Sequence, residues 1–298
     1  MSKNPLSECT LCPRNCKADR LSGKTGFCGA DEKIKIARAA LHFWEEPCIS
    51  GENGSGTIFF SHCNMGCIFC QNYKISTLGQ GRTITENELY NIFMSLQEQG
   101  ANNINLVTPT HYIPQIASVL KYAKNNGLEI PVLYNCGGYE NPDSLRLLEG
   151  LIDIYLPDMK YFSDKYAMLY SNAPDYFETA KAAIKEMFLQ VGKFKINKDG
   201  IMEKGMIVRH LLLPGLLFDS KKILDYLYKT YGDNIFISIM SQYTPMPQAC
   251  DIPRLNKKVD KKYYDTLISY AQNIGITNAF IQEGEAASES FIPEFYTD

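Results

Sequence analysis

The sequence predicts an α/β fold: a barrel, complete or partial, with a small cysteine-rich extension at the N-terminus. Three observations carry this. From Thr57 onward, short β-prone runs alternate with helical stretches, which implies a parallel sheet with helices outside it. The 298 residues are 45% hydrophobic and 21% charged, enough to bury a large core and too apolar for a disordered chain. Seven of the ten cysteines fall into two tight groups, both in the first quarter of the chain.

Taken in order, residues 1–50 read as the extension. Cys9, Cys12 and Cys16 are followed by Gly26-Phe27-Cys28-Gly29, and residues 33–43 form an apolar strand crossing to the main body. Glu45 and Glu46 read as a solvated pair. The glycine-rich run 51–57 lacks the Gly-Lys-Ser/Thr ending of a phosphate-binding loop and reads as a flexible lead-in to a strand. Residues 51–283 read as the barrel. Its strands are expected at 57–61, 103–108, 130–135, 151–156, 206–213 and 234–240, with a last one at 278–282. Helices are expected at 86–99, stopped by Gly100, and at 114–126, stopped by Gly127. Asn141-Pro142-Asp143 starts another, with Asn as cap and Pro at the first position. Further helices follow at 173–191, 220–231 and 260–273, and a hairpin turns at Lys198-Asp199-Gly200. Residues 284–298 read as an irregular tail.

Composition excludes several function classes. A net charge of −3 gives no broad basic field for nucleic acid. No run approaches a membrane span, and MSKNPLSECT has no apolar signal region, so the expected location is the cytoplasm. There, ten cysteines point to metal rather than disulfides.

Cys63-Asn64-Met65-Gly66-Cys67-Ile68-Phe69-Cys70 places three cysteines in eight residues. Four thiolates close a [4Fe–4S] site, whereas three leave one iron open for a reactant. The bland rivals are three buried thiols or half of a zinc site. Cys9, Cys12, Cys16 and Cys28 suit a structural zinc or a second iron–sulfur cluster. Their spacing departs from the ferredoxin pattern, which favours zinc, and a region with so little core needs a metal staple. Two barrel strands break the apolar rule for parallel sheets. Asp158 and Lys160 follow strand four and point to one side, and Arg209 lies inside strand five, where a buried guanidinium needs an anion. His210 points the other way and reads as a packing histidine.

The cysteine spacing resembles that of the radical S-adenosylmethionine (SAM) superfamily. The resemblance implies a [4Fe–4S] cluster on Cys63, Cys67 and Cys70 whose open iron is chelated by S-adenosyl-L-methionine. One electron then cleaves SAM to methionine and a 5′-deoxyadenosyl radical that abstracts hydrogen from a substrate. It also implies that Phe69 lies near the adenine. With Asp-x-Lys after strand four, Arg209 in a strand ending Pro-Gly, and the stretches NINLVTPTHY, DIYLPDMKY, RHLLLPG and MSQYTP, the chain is similar to the pyruvate formate-lyase activating enzyme-like group. That similarity implies a partial (β/α)6 TIM-type barrel in which Asp158, Lys160 and Arg209 contact SAM. Its partners would be an electron donor such as flavodoxin or ferredoxin and a glycyl-radical enzyme.

Departures from the group matter. Thr108-Pro109-Thr110-His111 stands where relatives carry Gly-Gly-Glu, so Thr108 would receive the SAM amino group without a charge. His111 reads as a proton donor, a supporting group or an exposed loop histidine. Gln242 stands where relatives carry a histidine and replaces one hydrogen bond but no acid. The extra cysteines precede the cluster motif rather than follow it. The readings are therefore a glycyl-radical activase, a radical SAM enzyme acting on a peptide or small molecule, or a metal-binding or electron-transfer protein without turnover.

Overall fold

A computed structural model describes residues 4–282 and Phe295. The expected tail, 284–298, lies outside the described residues apart from Phe295. Ten strands form one sheet: β1 (Ile34–His42), β2 (Ser55–Phe60), β3 (Arg82–Ile84), β4 (Ile104–Val107), β5 (Val132–Cys136), β6 (Ile154–Pro157), β7 (Lys195–Ile196), β8 (Met202–Leu211), β9 (Phe236–Met240) and β10 (Ala279–Ile281). The order is β10-β9-β8-β6-β5-β4-β2-β1-β3, with β7 hairpinned onto β8. From β2 to β10 every pairing along that path is parallel. β1 pairs antiparallel with β2, and β3 with β1. Among the described residues β10 and β3 end the sheet, so the barrel is partial and not closed by hydrogen bonds.

The helices are α1 (Pro47–Ser50), α2 (Tyr73–Ser76), α3 (Glu86–Glu98), α4 (Ile113–Asn125), α5 (Pro142–Leu145), α6 (Asp164–Ser171), α7 (Tyr176–Val191), α8 (Leu217–Tyr231) and α9 (Lys261–Asn273). Local chemistry explains the ends that the sequence marked. Thr85 and Glu88 form a reciprocal capping box at α3, Asn141 caps α5 ahead of Pro142, and Asp260 caps α9. Four short elements, α1, α2, β3 and α6, carry too few residues to show a period.

Strand alternation sorts the side chains. One face of each strand sends Ile58, Phe60, Ile104, Leu106, Tyr134, Tyr155, Val208 and Ile237 into the main core, against α3, α4, α7 and α8. The other face is unusually polar for a parallel sheet. Ser55 Oγ donates to Asn103 Oδ1 at 2.6 Å, and Asn105 Nδ2 donates to Glu45 Oε1 at 3.0 Å. The segment joining β1 to β2 supplies acceptors for these asparagine NH2 groups, while Asn105 Oδ1 has no partner among the described residues. Asn103 Nδ2 donates to Ile49 O at 2.9 Å, and Asn102 Nδ2 to Ser50 O at 2.7 Å. Cys48 and Ile49 pack with Leu133, Ile154, Leu156 and Ile207 in a second cluster. Residues 45–50 therefore plug the barrel from inside.

Candidate active site

The loop after β2 carries the three clustered cysteines. Gly66 N–H donates to Ser171 O at 3.2 Å and Ile68 N–H to Tyr170 O at 2.9 Å, which ties the loop to the end of α6. Asn64 Nδ2 donates to Tyr139 O at 2.5 Å, in the turn after β5. Arg14, from the N-terminal region, donates to Asn64 O at 2.8 Å and lies over the Phe27 ring at 3.6 Å. Each sulfur has a neighbour capable of donating. Met65 N–H donates to Cys63 Sγ at 3.3 Å, Ser171 Oγ to Cys67 Sγ at 2.9 Å, and Cys70 Sγ lies 3.3 Å from Ser76 Oγ. Burial pushes the Cys63 and Cys67 thiols well up, and the Lys160 ammonium pulls against it. Soft sulfurs supported by N–H and O–H donors are the donor set a cluster takes, so these residues fit one. Among the described residues no three His, Cys, Asp or Glu side chains converge at metal-binding distance.

A cavity of about 500 Å³ opens at the C-terminal ends of the parallel strands, where barrels of this kind carry their chemistry. It brings together Cys67, Phe69, Cys70, Asp158, Lys160, Arg209 and Gln242. Cys63 and Thr108 do not line it. Thr108 sits at φ +58 with its N–H on Asn135 O at 2.8 Å.

Asp158 and Arg209 are neighbours by register, as a parallel bridge joins them beyond the end of β6. Asp158 Oδ2 takes Lys160 Nζ at 2.5 Å, and Oδ1 takes Arg209 Nε at 2.9 Å. The other Arg209 nitrogens reach Asn135 Oδ1 at 2.6 Å and Glu45 Oε2 at 3.3 Å. Burial works against all three charges of this network, but they offset one another. Asp158 is held below the usual carboxylate range, while Lys160 is raised to about 12 and Arg209 is raised as well.

Two expectations are corrected, the solvated acidic pair and the exposed alternative for His111. Glu45 and Glu46 are not solvated: both line the cavity, Glu45 bound to Arg209, Asn105 and Asn135, and Glu46 buried. The inward asparagines needed partners, a signal visible only once the strand faces are known. His111 is not exposed; it is buried with Nε2 on Ser61 O at 2.7 Å, and burial drops its pKa to about 3. Glu140 drew no notice in the sequence. It is fully buried, takes the Thr110 and Tyr134 hydroxyls at 2.7 and 3.0 Å, and is raised by burial to about 7. His210 is the packing histidine expected, held by Met159 O at 2.7 Å and Ser220 Oγ at 2.8 Å.

Residues 57–202 match the family model described as the Radical SAM superfamily. The chain is 28% identical over 286 residues to an uncharacterized protein of Methanocaldococcus jannaschii, covering 93% of this chain and 78% of that one. In fold it is similar to SuiB of Streptococcus suis bound to its precursor peptide SuiA, with a TM-score of 0.51 and 13% identity over 74% of this chain. The structure of SuiB bound to S-adenosylmethionine gives a TM-score of 0.50 and 12% identity, again over 74% of this chain. The match spans about half of the SuiB chain, 46% and 48% in the two structures.

Proposed function

Residues 57–202 form a radical SAM domain, and from that premise we propose that the chain is an enzyme whose Cys63, Cys67 and Cys70 hold a [4Fe–4S] cluster beside the SAM cavity. The observation that supports this is the meeting of Cys67 and Cys70 with Phe69, Asp158, Lys160, Arg209 and Gln242 around one cavity. When bound, the cluster supplies the electron that cleaves SAM into methionine and a hydrogen-abstracting 5′-deoxyadenosyl radical. The chain's own residues do the positioning. Phe69 offers an apolar face for the adenine. Lys160 and Arg209 offer the cationic side of the cavity to a carboxylate, and Gln242 a neutral hydrogen bond. Each Arg209 nitrogen donates once and its two terminal nitrogens each keep a second N–H, so an arriving carboxylate takes those or displaces Glu45, the longest of the three contacts. Thr108 would join only through its loop, since its side chain lies off the cavity.

Glycyl-radical formation on a partner enzyme is the specific activity we propose, with flavodoxin or ferredoxin as electron source. It rests on the motif similarity around Asp158, Lys160 and Arg209. The N-terminal cysteine group, residues 9–28, is proposed as a structural zinc site. Burial pushes the Cys12 thiol up to about 12 and raises Cys28 too, so both rest protonated and zinc binding would release their protons. The test is anaerobic reconstitution with iron and sulfide, reduction in the presence of SAM, and assay of 5′-deoxyadenosine. Candidate glycyl-radical proteins of the host are then screened for a new radical signal. Absence of 5′-deoxyadenosine sinks the radical SAM reading; its formation with no protein radical sinks the activase reading and leaves a peptide or small molecule as substrate.

A further inference from the structure

Resting on the radical SAM reading of the cavity, the geometry points to Glu46 as the seat of a primary ammonium group on a molecule entering the barrel mouth. Glu46 lines the cavity and is nine-tenths buried. Ser238 lines the same cavity beside Glu46, whose Oε2 has no hydrogen-bond partner among the described residues. A buried carboxylate oxygen without a donor is costly, and folded chains keep few of them without a reason. What is lacking is a donor, so the completing group must donate.

Charge leads to the same ligand. Among the described residues, three carboxylates line the cavity, Glu45, Glu46 and Asp158, against two cations, Lys160 and Arg209. Both cations are already engaged, Lys160 by Asp158 and Arg209 by Asp158 and Glu45. An ionised Glu46 therefore leaves one negative charge over. Burial pushes the Glu46 carboxyl up, with Glu45 adding to it and Arg209 opposing; a bound cation would tip that balance to the charged form. Residues 283–298 contain no lysine, arginine or histidine, so the tail supplies no side-chain counter-ion. Trp44, Phe59 and Phe280 also line the cavity, and aromatic faces favour a cation. A quaternary ammonium would balance the charge but has no N–H for Oε2. A primary ammonium does both.

Two molecules in this chemistry carry such a group: an amine-bearing substrate, and SAM through its α-amino nitrogen when that nitrogen is protonated rather than bound to iron. Reconstituted wild type and Glu46→Gln are titrated calorimetrically with SAM, and separately, with SAM present, with n-butylammonium chloride. Glu46→Gln is expected to weaken at least one of the two by about tenfold or more, on the scale of a hydrogen bond to a charged group. Loss confined to SAM assigns the seat to the SAM ammonium, and loss confined to butylammonium assigns it to the substrate. Without ligand, Glu46→Gln should melt at or above the wild-type temperature, because burial already favours the uncharged carboxyl and Gln replaces it with a neutral group of the same shape. The proposal is overturned if both probes bind the variant as they bind wild type, if wild type binds neither, or if the ligand-free variant melts lower or does not fold. Lower melting would mark Glu46 as a structural partner of Ser238 and Arg209. Wild type that takes up no cluster and binds no SAM would instead sink the radical SAM reading.

Discussion

Asp158 and Arg209 face each other across neighbouring parallel strands, Oδ1 to Nε at 2.9 Å, and the terminal nitrogens of Arg209 donate to Asn135 and Glu45. One guanidinium therefore ties β5, β6 and β8 to the plug segment. Arg209→Ala leaves Asp158 and Glu45 buried with a lost partner, which costs about 3–5 kcal/mol when a buried pair is broken. We expect a lower urea midpoint in the absence of SAM. Arg209→Lys keeps the charge but loses the fork, so it should fall between the two. Unchanged midpoints for Arg209→Ala would show that the network contributes nothing to folding and that Arg209 serves the ligand alone.

Replacing Cys63, Cys67 and Cys70 together with Ala should abolish 5′-deoxyadenosine formation under reducing conditions. Metal analysis of that variant should find about one zinc, the number a single four-thiolate site takes, held by Cys9, Cys12, Cys16 and Cys28, with almost no iron. Full residual iron and sulfide would make the N-terminal group a second cluster. Undiminished 5′-deoxyadenosine would remove the three cysteines from the chemistry.

Ser171 Oγ donates to Cys67 Sγ at 2.9 Å and pairs with Tyr161 Oη at 2.6 Å. Hydrogen bonds to ligating sulfur stabilise the reduced, more negative cluster. Ser171→Ala should keep the iron content and shift the cluster's midpoint potential to a more negative value in a redox titration followed by electron paramagnetic resonance. An unshifted potential would mean that this hydroxyl has no influence on the cluster.

Glu140 is raised by burial from 4.5 to about 7. A folded pKa above the unfolded one means that its contribution is complete below about pH 4.5 and lost as pH rises through about 7. The loss is on the order of 3 kcal/mol. Denaturant melts across this window should fall more steeply with pH for wild type than for Glu140→Gln. Parallel profiles would show that Glu140 keeps an ordinary pKa.

The periodic elements were legible because their signals are local. The Thr85 capping box, Asn141-Pro142 and the Gly100 and Gly127 stops all act within one or two turns, and each barrel strand is a compact run between such stops. Cys63, Cys67 and Cys70 were legible for a similar reason, since one loop holds all three. The short α6 was not, although it brings Ser171 to Cys67.

By itself, the sequence determined the alternation of strand and helix, the cysteine loop, and the breaks in apolar patterning at Asp158 and Arg209. These depend on neighbours along the chain. Only the tertiary structure decided that Glu46 is buried and Glu45 bound to Arg209 at the barrel mouth, that His111 is enclosed, and that Arg209 is shared among three partners. The contacts that fix those states join residues far apart in the chain, such as Glu45 with Asn105, Asn135 and Arg209. A charged pair read along the chain looks solvated; its burial is set by which strands the barrel folds around it.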